Sequence, residues 1–158
     1  MAKKLNVGLI GSGFMGKAHS IAYATIPTLF PDAAAHPHRY IVADVNDELS
    51  KEAAAHFGFD KWTSNWKDLI NDDSVDVIDI VTPNFVHKEM AIAAAEAGKH
   101  VFCEKPLALN KQESKEVYEA AKKAGIKTGM GFNYRKSQAL AFAKKLIEQR
   151  KIGTVYGF

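Results

Sequence analysis

The chain has 158 residues, 47% of them apolar, which suffices for one well-buried domain and leaves no room for a second complete one. Its net charge of +3 arises from interleaved Lys, Arg, Asp and Glu with no basic block, so no nucleic-acid partner is expected. Nothing resembles a signal peptide after Met1-Ala2-Lys3-Lys4 or a membrane span, and the one cysteine, Cys103, forbids an intrachain disulfide; a soluble, cytoplasmic protein is expected.

Leu5 to Ile10 is a near-continuous apolar run, as in a parallel strand covered by helices on both faces. It leads into Gly11-Ser12-Gly13-Phe14-Met15-Gly16, the G-x-G-x-x-G spacing of a dinucleotide-binding loop. In such a loop Gly11 permits the tight turn, Gly13 lets backbone N–H groups approach a pyrophosphate, and Gly16 lets helix and strand pack closely. The helix that follows would present its unpaired N–H groups to the phosphates. Alone the spacing is weak, since related loops serve methyltransferases and flavoproteins.

A helix is expected from Gly13 to about Ala24, with His19 as a packed structural histidine. Ile26 to Arg39 carries Pro27, Pro31 and Pro37 and reads as a loop insertion, with His36 and His38 as loop residues and no metal site. Tyr40 to Asp44 reads as a second strand ending in an acid, where a dinucleotide fold places the carboxylate that binds the adenosine ribose hydroxyls. The proline-rich insertion accounts for the long spacing from the glycines to Asp44. A carboxylate there repels a 2′-phosphate, and no Arg follows within Val45 to Glu48, so NAD is favoured over NADP.

Three later helical runs each stop at a glycine, namely Gly58, Gly98 and Gly125, and each leads into another strand-like run. That rhythm predicts an α/β, Rossmann-type, doubly wound and mainly parallel sheet. Val75 to Val81 is a central strand despite Asp76 and Asp79. Thr82-Pro83-Asn84 ends it, with Asn84 as N-cap of the next helix, at the carboxyl edge where open sheets bind ligands. His100 to Cys103 is a further strand that delivers Glu104-Lys105-Pro106, by itself a charged turn, to the same edge. Asn110 and Glu113 form a capping-box start. After the strand-like Lys127 to Phe132, Arg135 and Lys136 precede a helix carrying Leu140, Ala143, Leu146 and Ile147 on one face. The helix dipole disfavours cations there, which suits an anionic partner such as a cofactor phosphate, the alternative being an ordinary solvated cation pair. Ile152 to Phe158 alternates like a strand with nothing after it to pair against.

Taken together, Gly11 to His19, Thr82 to His87, Ala97 to Ala108 and Asn133-Tyr134-Arg135 resemble the Gfo/Idh/MocA oxidoreductases, the family of glucose-fructose oxidoreductase and inositol dehydrogenase. The resemblance implies cofactor contacts from Gly11, Gly13, Phe14, Met15, Gly16, Asp44, Thr82, Pro83, Asn84, His87, Glu104, Lys105 and Arg135, with no metal. It implies that Lys105 serves both the substrate hydroxyl and the nicotinamide end, that Glu104 borders the nicotinamide ribose, that Pro106 is often cis, and that Arg135 reaches the nicotinamide half. It also implies NAD, a sugar or polyol substrate, and a homo-oligomer for the complete protein. A Lys can take a hydroxyl proton as hydride leaves if burial and nearby positive charge bring its pKa near neutrality.

On this reading residues 1–132 form the dinucleotide-binding domain. Residues 133–158 correspond to a bridging helix and the first strand of a second α/β domain that the resemblance implies and this sequence essentially lacks. An NAD-dependent dehydrogenase domain with little activity by itself is therefore expected. The alternative is a stand-alone nucleotide-binding or interaction module that uses its unpaired terminal strand.

Overall fold

The computed structural model describes residues 2–157. Along the chain run β1 (Lys3–Ile10), α1 (Phe14–Leu29), β2 (Ala35–Ala43), α2 (Asp47–Phe57), β3 (Lys61–Thr63), α3 (Trp66–Asn71) and β4 (Val77–Ile80). A 3-10 turn (Asn84–Val86), α4 (His87–Glu96), β5 (His100–Cys103), α5 (Lys111–Ala124), β6 (Thr128–Met130), a second 3-10 turn (Asn133–Lys136) and α6 (Gln138–Glu148) follow. The six strands make one sheet in the order β3-β2-β1-β4-β5-β6, every neighbouring pair parallel. The chain winds outward from β1 to β3, then returns across β1 to start β4. This reversal leaves a crevice at the carboxyl ends of β1 and β4.

Strand alternation explains why the apolar runs are continuous. Leu9 and Val42 face one layer with Ala53, Ala54 and Phe59, while Ile10, Ile41 and Ala43 face the other with Leu69, Ile78, Ile80, Met90 and Ala94. Both faces are dry, so neither can carry a polar side chain without a partner. The helices stop as the glycines demand: Gly58, Gly98 and Gly125 have φ of +70°, +72° and +67°, the left-handed region that costs a side chain energy. At the start of α5, Glu113 N donates to Asn110 Oδ1 (3.0 Å). The Glu113 carboxylate reaches back to Leu109 N, one residue before the expected partner.

The proline-rich insertion does not exist as a loop. α1 runs on through Pro27 to Leu29, β2 begins at Ala35, and only residues 30–34 connect them. Pro27 falls in the last turn, where one lost hydrogen bond is tolerable. Pro37 pairs with Leu5 on one side, and β3 joins β2 only from Ile41 onward, so the other side of β2 is an open edge at the proline. The long spacing to Asp44 is therefore taken up by a longer helix and strand. His36 and His38 lie in β2, bonded to Phe30 O (3.0 Å) and Asp60 Oδ2 (2.6 Å), and no metal-binding cluster occurs among the described residues.

Asn84 does not cap a helix by its side chain; it opens a 3-10 turn ahead of α4. The alternating run from Ile152 forms no strand among the described residues, because no neighbouring strand pairs with it; its last residue, Phe158, lies outside them. α6 forms where its periodicity predicts but buries none of its residues. No helix of the described residues is long and apolar enough to cross a membrane.

Candidate active site

Three glycines shape the loop between β1 and α1, each for a different reason. Gly11 has φ +100°, and a Cβ there would sit 3.2 Å from the Val81 carbonyl. At Gly16 an added Cβ would meet Gly11 O at 2.3 Å, so the start of α1 can lie against the loop only without a side chain. Gly13 has φ −64°, and a Cβ there would meet nothing within 4 Å. Nothing in the fold itself requires glycine at 13, which is what a surface shaped for a ligand looks like. α1 has no side-chain cap and no acidic residue in its first turn, so its leading N–H groups remain available to an anion. Phe14 is 84% exposed beside them.

Asp44 follows β2 directly. Its Oδ2 accepts from Ser12 N (2.7 Å) and Ser12 Oγ (2.5 Å), its Oδ1 accepts from Val45 N (2.7 Å), and its own N–H donates to Ser50 Oγ (2.9 Å). The carboxylate is thereby locked at the rim of the glycine loop with lone pairs to spare on Oδ1. Gly11, Gly13, Asp44, Thr82 and Pro83 line one cleft of about 770 Å³, within the size range of small-molecule sites. Open backbone at Gly13, free helix N–H groups and an acceptor at Asp44 fit a dinucleotide: a pyrophosphate for the donors and ribose hydroxyls for the acid.

A second cleft, of about 880 Å³, includes Met15, His19, Phe102, Glu104, Phe132 and Arg135. Glu104 is buried, and its Oε2 accepts from Lys105 N (3.0 Å). The Lys105–Pro106 bond is cis, and the Lys105 side chain is exposed, so the burial expected around a Lys base is not supplied by the described residues. Asn84 is exposed on its 3-10 turn. His87, expected among the cofactor-binding residues, is 1% exposed and reaches neither cleft. Its ring nitrogens lie 2.8 Å from Thr82 O and 2.8 Å from Pro106 O. It ties the two site loops together from below, because its place at the start of α4 turns it under them.

Beneath the second cleft lies a polar group that local sequence reading did not anticipate. Asp79, 0% exposed in β4, accepts from Tyr23 OH (2.7 Å) on the same Oδ2 that meets His19 Nδ1 (2.8 Å). His19 Nε2 lies 3.3 Å from Glu104 Oε1. Burial alone would favour a neutral imidazole, but Asp79 and then Glu104 outweigh it and hold the His19 pKa above its ordinary value. Burial, then the Asp79 charge, pushes the Tyr23 hydroxyl well above its ordinary value too. The available signal was Asp79 itself: a carboxylate in a dry central strand needs donors, and His19 and Tyr23 stand one helix turn apart on one face.

The model of the oxidoreductase family with an NAD-binding Rossmann fold matches residues 5–132. The chain is 54% identical over 156 residues to levoglucosan dehydrogenase of Pseudarthrobacter phenanthrenivorans, covering 99% of this chain and 40% of that protein. It is 33% identical over 153 residues to scyllo-inositol 2-dehydrogenase (NAD(+)) of Bacillus subtilis, covering 97% of this chain and 43% of that protein. A solved levoglucosan dehydrogenase in complex with NADH and levoglucosan superposes with a TM-score of 0.90 at 55% identity, over 96% of this chain and 41% of that one. The chain thus spans about two fifths of the length of these relatives.

Proposed function

The chain belongs to the Gfo/Idh/MocA oxidoreductases through their NAD-binding Rossmann fold, and on that premise we propose that it is the cofactor-binding part of an NAD-dependent dehydrogenase acting on a hydroxyl of a sugar, polyol or derivative. Bound NAD would supply the hydride acceptor, which no amino-acid side chain can provide. Asp44 accepts the adenosine ribose hydroxyls, and the backbone at Gly13 with the first N–H groups of α1 holds the pyrophosphate. Met15, Glu104 and Arg135 line the wall of the second cleft, where the nicotinamide half is received, with Thr82 and Pro83 along the crevice. Lys105 takes the proton of the substrate hydroxyl as the C–H bond breaks.

The observation that carries this reading is the open backbone at Gly13 beside an Asp44 carboxylate already aimed by Ser12. The relatives' substrates suggest anhydro sugars and inositols as the first compounds to assay. Little turnover is expected from the 158 residues alone: Lys105 is exposed, so its side chain is not held in a closed site that would position an alcohol.

Calorimetric titration with NAD and NADP tests the cofactor assignment. NAD should bind in preference, and Asp44→Ala should weaken it roughly 10- to 150-fold, the worth of charge-assisted hydrogen bonds, while narrowing the preference. Equal affinity for both dinucleotides in the native chain, or none for either, would sink the assignment.

A further inference from the structure

His19 lies between two carboxylates that belong to different parts of the chain. Asp79 comes from the centre of the sheet and Glu104 from the end of β5, at 2.8 and 3.3 Å from the two ring nitrogens. A neutral imidazole has one N–H and can satisfy one of them; only the imidazolium donates to both. The Asp79 end is anchored, because Tyr23 OH donates to the same oxygen and the carboxylate is wholly buried. The Glu104 end is confined as well. A Cβ on Gly131 would meet Glu104 Oε1 at 2.2 Å, so the carboxylate is pressed against the backbone of residue 131 on one side with His19 on the other. Its remaining oxygen, Oε2, accepts the Lys105 amide.

These contacts form one line from the buried strand to the turn that presents Lys105. We propose that His19 is a positioning residue for Lys105: its imidazolium bridges Asp79 and Glu104, and so fixes the Glu104 oxygen that holds the Lys105 backbone. The role proposed for Lys105 in proton transfer is what would make this positioning matter, but the positioning can be measured without turnover.

The other groups around the ring are few. On α1, Tyr23 donates to Asp79; on β5, the Phe102 ring lies 5.7 Å from the imidazole centroid, and the buried Cys103 thiol points to Glu104 O. Across the cleft stand the cations Arg135 and Lys136. The pKa of His19 is raised above the ordinary 6.5. A raised value means that the bridge is fully present below about pH 6.5 and is lost as pH rises through the folded-state value. The Lys105 turn is therefore held tightest in mildly acid solution and loosens in alkali.

Nitrogen-15 NMR of the whole chain tests this. The His19 ring should carry protons on both nitrogens near about pH 6, and its deprotonation should accelerate Lys105 amide exchange about tenfold beyond the ordinary pH dependence. The neighbouring Glu104 amide, which donates to Ile80 O inside the sheet (2.9 Å), serves as the reference and should change by less than about twofold once the same correction is made. His19→Leu should reproduce the Lys105 acceleration at low pH; if that variant does not fold, the native titration decides alone. A neutral ring near about pH 6, or Lys105 exchange that does not follow the ring, would overturn the proposal. Titrating the same samples with NADH keeps the two readings apart. Lost binding with the Lys105 signature intact counts against the cofactor site, and intact binding without the signature counts against His19.

Discussion

Gly13 and Gly16 stand three residues apart, one capping α1 and one in its first turn, yet their side-chain intolerance belongs to different states of the protein. A Cβ on Gly16 would lie 2.3 Å from Gly11 O, and both the methyl carrier and the oxygen are backbone, so no flexible side chain can swing aside. Reaching the 3.0 Å floor of real Cβ contacts means prising the loop from the helix by at least about 0.7 Å. Gly16→Ala should cost about 3 kcal/mol, the upper end for overpacking. That lowers the melting temperature by about 6–12 °C for a chain of this size.

Gly13→Ala meets nothing within 4 Å and keeps an ordinary negative φ, so its stability should hold or rise by up to about 1 kcal/mol through the stiffer unfolded chain. Its NADH affinity should nevertheless fall roughly 10- to 150-fold, because the methyl blocks charge-assisted N–H contacts to the pyrophosphate. Thermal unfolding and NADH titration of both variants decide the matter. A destabilised Gly13→Ala beside a neutral Gly16→Ala would refute the packing argument. A Gly13→Ala that binds NADH like the native chain would refute the placement of the pyrophosphate.

Two further outcomes follow from the buried polar group. Burial, then the charges of Asp79 and Glu104, pushes the Cys103 thiol up to about 12, so the folded chain should alkylate roughly a thousandfold more slowly than the unfolded chain near neutral pH. Rapid stoichiometric labelling of the native protein would contradict the burial of that strand. Tyr23→Phe removes one of two side-chain donors that Asp79 has among the described residues, which give its Oδ1 no hydrogen bond. A loss of about 1.5–3 kcal/mol is expected in urea unfolding, and an unchanged midpoint would show that Asp79 draws its stabilisation elsewhere.

Local rules were enough for much of this molecule. The apolar runs at Leu5–Ile10 and Val75–Val81, the helix stops at Gly58, Gly98 and Gly125, and the Asn110 cap are decided by residues a few positions apart. Their physics of alternation, left-handed φ and capping acts over that range. The parallel doubly wound sheet follows from their order, the glycine loop from its spacing, and Asp44 from its place at the end of the second strand. The same local rules misread Pro27 and Pro37, because whether a proline breaks an element depends on whether its missing N–H would have had a partner. At Pro37 the answer lies in how far β3 reaches along β2.

His87 carried a motif position, but only the packing of α4 beneath the Thr82 and Pro106 loops takes it out of the cleft. His19 lies 60 residues from Asp79 and 85 from Glu104, and the three meet because Asp79 falls on the α1 face of β4 while Glu104 directly follows the adjacent β5. The sequence by itself therefore determined most of the strands and helix ends, their order and the glycine loop. The tertiary structure alone decided which buried charges face one another, since that depends on strand register and helix placement across the sheet, which no short window of residues specifies.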